Sequence, residues 1–141
     1  HTEVRRQRQM CIRDRLRALT KNDVLICVGS NGPVNKMDVS LSVTGLAQYF
    51  SGRVFSADQV GIPKPAPDLY LYCAKQLNCI PQKCLVVEDS PRGAMAGVSA
   101  GMTVFGYSGT DNSDDLFRAG CSTVSSKMID LLDFAGVLET R

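Results

Sequence analysis

The feature that most limits how this chain can fold is a set of short apolar runs that do not alternate with polar residues. "DVLICVGS" (23–30), "KCLVVED" (83–89) and "MTVFGY" (102–107) are each nearly continuous in apolar side chains. A strand with one wet face alternates; one that is apolar throughout belongs between two covering layers. Shorter strand-like pieces lie around Val54–Ser56 and in "STVSS" (122–126), the latter reading as an edge strand.

The segments between these runs carry helical spacing. In "GPVNKMDVSLSVTGLAQYF" (32–50), Pro33 suits a first helical turn, and Val34, Met37, Leu41 and Leu46 recur at roughly helical intervals. "PAPDLYLYCAKQLNC" (65–79) reads as a helix opening at Pro67, with Leu69, Tyr72, Cys73, Gln76 and Leu77 on one side. "PRGAMAGVSAG" (91–101) is a helix of small residues, "DDLFRAG" (114–120) a short one ended by Gly120, and "KMIDLLDFAGV" (127–137) a terminal one. Strands alternating with helices predict an α/β fold, a parallel sheet with helices on both faces. In such sheets ligands bind beyond the carboxyl ends of the strands.

Composition agrees with one globular core: 141 residues, 44% hydrophobic and 21% charged. The net charge of +2 is unevenly placed, because six arginines against Glu3 and Asp14 give the first seventeen residues +4. No aromatic residue is interleaved with these arginines, which argues against nucleic-acid binding, and neither a membrane span nor a signal-type segment is visible. "MCIRDR" (10–15) back-translates to a transposon-end adapter of sequencing libraries. Residues 1–15 are therefore expected to be an extraneous, disordered basic segment, with the partial core domain at 16–141. Six cysteines with no C-x-x-C pair, and His1 as the sole histidine, give no zinc pattern. Cys27 and Cys84 read as small buried hydrophobes, and reduced thiols fit a cytoplasmic location.

Three motifs fall at or just after strand ends or helix starts. In "GSNGP", Ser30 with the turn residues Asn31 and Gly32 offers a hydroxyl and backbone N–H groups to an anion such as phosphate, or forms a plain helix cap. In "GIPKPAP", prolines 63, 65 and 67 stiffen the loop that presents Lys64, which can neutralise a phosphoryl group or stand in solvent. Glu88 and Asp89 are adjacent carboxylates where an apolar run stops. Such a pair suits magnesium, a hard cation that keeps several waters, or else favours the positive end of the next helix with Asp89 or Ser90 as its cap. Arg92 lies one turn into that helix.

Together, "ICVGSNGP", "GIPKPAPDLY" and "LVVEDSPRGAMAGVSAGM" resemble the haloacid dehalogenase-like hydrolase superfamily, in the branch of β-phosphoglucomutase and small sugar-phosphate phosphatases. The resemblance covers about Leu16–Val137 and implies a Rossmann-like core. It assigns phosphoryl binding to Ser30, assisted by the backbone at Asn31 and Gly32, a phosphate-pairing catalytic role to Lys64, and a Mg2+ site to Glu88 and Asp89. It also implies an aspartyl-phosphate intermediate formed on a D-x-D motif, and no D-x-D occurs in this chain. The chain is therefore expected to lack the first strand and the cap domain and to be the C-terminal part of a phosphatase for small phosphorylated sugars or sugar acids. A phosphosugar mutase and a noncatalytic phosphate-binding module are the alternatives. The expected partner is a small phosphorylated metabolite, with no nucleic acid and no membrane, and the full-length protein is expected to be a monomer.

Overall fold

The computed structural model describes residues 2–109 and 111–136, with side chains described from Ile12 onward. Helix α1 (Thr2–Lys21) leads into β1 (Val28–Ser30), and α2 (Val34–Thr44) crosses to β2 (Val54–Ser56). Helix α3 (Asp68–Gln76) connects to β3 (Leu85–Glu88), α4 (Pro91–Ser99) to β4 (Thr103–Tyr107), and α5 (Ser113–Arg118) to β5 (Thr123–Ser125), before α6 (Asp130–Ala135). The boundary that the sequence places after residue 15 falls inside α1, whose backbone is one helix from Thr2.

All strands are parallel, as the unbroken apolar runs require. They form two sheets: β1 with β2, pairing Gly29 with Phe55 and Ser30 with Ser56, and β3-β4-β5, pairing Val87 with Phe105 and Phe105 with Thr123. β5 is an edge strand, as its short polar sequence suggests. Between β1 and β3 there is no ladder, and a cleft of about 1000 Å3 separates them, lined by Leu16, Ile26, Cys27, Val87, Met128 and Phe134 among others. This corrects the reading of residues 23–30 as a strand buried on both faces. Only Val28–Ser30 form a strand, they are half-buried, and Leu25 is exposed, because one side of this segment meets the cleft instead of a neighbouring strand.

The tightest packing lies on α4. Ser90 caps it by accepting from the Gly93 N–H at 3.1 Å, and Pro91 occupies the first turn where a missing N–H costs nothing. Its small face then lets the helix settle onto β3 and β4: a Cβ on Gly97 would lie 2.7 Å from Val104 Cγ2 and 3.2 Å from Val86 Cγ2. Ala94, Ala96, Val104, Phe105 and Leu116 are fully buried around this contact. Gly101 serves differently from its small neighbours, at φ +79° in the turn that ends the helix.

Helix α3 buries Leu69, Tyr70, Cys73 and Ala74, whereas the sequence spacing points to Tyr72, Gln76 and Leu77 beside Leu69 and Cys73. The buried stripe is rotated by part of a turn. Tyr72 sits at its margin, edge-on to Phe55 of β2 with ring centroids 5.6 Å apart. The rotation has a chemical consequence, because it turns Tyr70 inward.

Candidate active site

Lys64 is the centre of the polar cluster. Asn31, in the turn after β1, holds its backbone from both sides: the Lys64 N–H donates to Asn31 Oδ1 at 2.9 Å, and Asn31 Nδ2 donates back to the Lys64 carbonyl at 3.4 Å. Arg92 also donates to that carbonyl, at 3.4 Å. The Lys64 side chain turns inward, only 12% exposed, which excludes the solvated-loop reading. Its Nζ donates to the Gly29 carbonyl at 2.9 Å and to Glu88 Oε1 at 2.6 Å, and stands 4.7 Å from the centre of the Tyr70 ring.

Glu88 ends β3 on the buried side of the strand, since Val86 and Glu88 face inward while Val87 faces out. Its Oε1 accepts from both Lys64 and the Tyr70 hydroxyl; Ser90 Oγ donates to Oε2 at 3.4 Å. The carboxylate rests directly on the first turn of α4. A Cβ on Gly93 would fall 2.0 Å from Glu88 Cδ, so glycine there is a condition of the site. Burial, followed by the neighbouring Glu88 charge, pushes the Tyr70 phenol far above its usual range, so it acts only as a neutral donor.

Asp89, next in the chain, is exposed, and its carbonyl accepts from Asn112 Nδ2 at 2.9 Å. Gly29, Lys64, Tyr70, Glu88 and Asp89 thus share the rim of one cleft. Ser30 lies beside them and faces elsewhere. Its Oγ accepts from the Gly32 N–H at 3.1 Å, and it lines an adjoining recess of about 430 Å3 with Gly32, Lys36 and Ser40. The turn is anchored from β2, where buried Ser56 donates to the Gly32 carbonyl at 2.7 Å.

The donors at the rim are oxygen only, which fits magnesium in chemistry. Among the described residues no group of three or more histidine, cysteine or acidic side chains is gathered, and the acidic oxygens at the rim are those of Glu88 and Asp89. Tyr70 is the residue that sequence reasoning missed. Its signal was its distance from Lys64, six residues on across a proline-rich turn, which returns the first turn of α3 to the same point.

Residues 12–101, well over half of the chain, match the family described as haloacid dehalogenase-like hydrolase. The chain belongs to the haloacid dehalogenase-like hydrolases. The 6-phosphogluconate phosphatase of Escherichia coli (strain K12) is 41% identical over 80 residues, which is 57% of this chain and 36% of that protein. The fructose-1-phosphate phosphatase of the same strain is 38% identical over 77 residues, covering 55% and 40%. Among solved structures, a haloacid dehalogenase-like hydrolase from Deinococcus radiodurans R1 with bound phosphate and sodium superposes with a TM-score of 0.82 at 35% identity, covering 89% of this chain and 59% of that one. The present hydrolase chain therefore spans between about a third and three-fifths of the length of these relatives.

Proposed function

We propose that this chain is the phosphate- and metal-holding part of a magnesium-dependent phosphatase for small phosphorylated sugars or sugar acids. The observation that carries the reading is Lys64 Nζ, fixed between the Gly29 carbonyl and the Glu88 carboxylate at the mouth of the cleft. A cation held there before substrate arrives meets phosphoryl charge without reorganising, which is where such groups contribute most to catalysis. In this reading Ser30 and the backbone N–H groups of the turn after β1 hold phosphoryl oxygens once the Ser30 hydroxyl turns from its bond with the Gly32 N–H toward the cleft. Glu88 and Asp89 would hold magnesium, which when bound offsets the charge of the phosphate.

None of these residues is a nucleophile for phosphorus. In this reading the aspartate that forms the aspartyl-phosphate belongs to a D-x-D strand outside this sequence, and residues 16–141 are a partial core; the family match, which begins at Ile12, limits any foreign segment to the residues before it. The sugar-phosphate assignment follows the two E. coli relatives, and a cytoplasmic monomer is part of the same proposal. No helix among the described residues is long and apolar enough to cross a membrane.

The test uses phosphomonoesterase assays on this chain alone and on it mixed with a peptide carrying an apolar strand ended by D-x-D. The chain alone is expected to be inactive. The mixture is expected to show magnesium-dependent turnover that Asp89→Asn removes and Lys64→Ala lowers by about 10²–10³-fold. Turnover by the chain alone that survives both substitutions would overturn the reading.

A further inference from the structure

The two oxygens of Glu88 are held unequally. A carboxylate oxygen has two lone-pair sites, and Oε1 fills both inside the protein, one with Lys64 Nζ at 2.6 Å and one with the Tyr70 hydroxyl. Oε2 carries only the long contact from Ser90 Oγ at 3.4 Å. The carboxylate also lies flat on the first turn of α4, where a Cβ on Gly93 would fall 2.1 Å from Oε2 and 2.2 Å from Oε1. To turn about its last torsion, Glu88 has to give up both donors at Oε1.

Of those two donors, Lys64 already has a task at the phosphate and Tyr70 has none. The phenol is buried, its ring lies beneath Lys64 Nζ and against β1, where a Cβ on Gly29 would stand 3.4 Å from its Cε1, and its hydroxyl donates to Glu88. What it governs is how many oxygens Glu88 can offer to a cation at the rim, and that number separates two common divalent ions. Magnesium keeps near-octahedral geometry and several waters and is served by one oxygen from each carboxylate. Calcium takes more ligands at longer distances and readily accepts both oxygens of one carboxylate.

We propose that Tyr70 is a positioning residue that sets the choice of metal: by filling Glu88 Oε1 together with Lys64, it limits Glu88 to ligation through Oε2 and so favours magnesium over calcium. The inference rests on the reading of Glu88 and Asp89 as the magnesium carboxylates and adds to it the residue that discriminates between cations. Removing the hydroxyl opens one lone-pair site at Oε1, which is what a second contact between metal and oxygen needs. The phenyl ring that remains still fills the space below Lys64.

The experiment titrates this chain, isotope-labelled for NMR, with magnesium chloride and separately with calcium chloride, following the backbone amides of Glu88, Asp89 and Ser90. In the wild type both salts are expected to shift these amides, magnesium at the lower concentration. In Tyr70→Phe the ratio of calcium to magnesium affinity is expected to rise about tenfold, the scale of one hydrogen bond to a charged group. A hydroxyl that only steadied the fold would, when lost, weaken both metals alike and leave the ratio where it was. An unchanged ratio therefore overturns the inference and leaves the magnesium reading standing, whereas wild-type amides that respond to neither salt overturn the magnesium reading and the inference with it. Where Tyr70→Phe fails to fold, the wild type decides: a preference for magnesium supports the inference, and calcium bound as tightly as magnesium overturns it.

Discussion

The halves of this molecule on either side of the cleft are built from the same β-α-β unit and differ in how completely each buries itself. Around β3, β4 and β5, the crossover helix α4 presents glycine and alanine to both strands it connects, and the residues between them are fully buried. Around β1 and β2, the crossover helix α2 has no buried residue, the strands are three residues long, and Val43 is 82% exposed. A unit of this kind is self-sufficient when its helix closes on both strands at short range. Where it does not, stability has to come from whatever flanks it, and for β1 one flank is the cleft. The polar rim sits on the seam, with Lys64 reaching from the loop after β2 to both β1 and β3.

The largest test of this difference is a deletion in the closed half set against one in the open half. Leu116 is fully buried under β4 and β5, so Leu116→Ala is expected to cost about 2–5 kcal/mol in urea unfolding. Val43→Ser in α2 is expected to change stability by no more than about 0.5 kcal/mol. Equal costs at the two positions would mean that α2 is packed more tightly than its exposure indicates.

Across the seam, Tyr70→Phe removes one of the two donors to the inward oxygen of Glu88 while leaving the ring beneath Lys64 in place. A hydrogen bond to a buried charge is worth about 1.5–3 kcal/mol, so the loss is expected in that range. The pH dependence is expected to change as well. The folded phenol is raised above its ordinary value of 10.0, first by burial and then by Glu88. Its contribution is therefore fully present below that value and is lost as pH rises beyond it, when the unfolded chain ionises and the folded one does not. Unfolding followed from pH 8 to 11 is expected to show wild-type stability falling above about pH 10 and Tyr70→Phe following a flatter course.

Tyr70 also shows where the sequence stops being informative. The α3 pattern is legible as a helix, and Leu69 and Cys73 lie on its buried stripe, but several neighbouring stripes contain enough apolar residues to satisfy the same period. Which one faces inward depends on where the turn from β2 releases the chain, and that is set by tertiary contacts of Phe55 and Lys64. The small-residue face of α4 was readable for the opposite reason: only close approach to another backbone gives Gly93, Ala94, Ala96 and Gly97 a use. The convergence of Lys64 and Glu88 followed from the rule about strand ends. The separate orientation of Ser30 did not, since the last residue of a strand faces whichever side the pleat dictates. Likewise, the apolarity of residues 23–30 describes what a covering layer could bury and carries no information on whether one covers it.

The smallest expected effect compares how the two crossover helices begin. Helix α4 starts at Ser90, whose hydroxyl accepts from the Gly93 N–H, and helix α2 starts at Pro33, which has no side-chain acceptor to offer. Removing the Ser90 hydroxyl leaves an N–H near the buried Glu88 carboxylate without its partner, so Ser90→Ala is expected to cost about 1 kcal/mol. Pro33→Ala removes no cap interaction; what it changes is the unfolded chain, which gains freedom where proline had restricted it, a loss of about 0.4–1 kcal/mol. The totals are close, and the separation lies in where the change is felt. Amide exchange is expected to quicken locally at the start of α4 in Ser90→Ala, while in Pro33→Ala protection falls evenly wherever exchange requires global unfolding. A local rise at α2 of the same size as that at α4 would show that the open half begins its helix with a contact that the closed half was thought to hold alone.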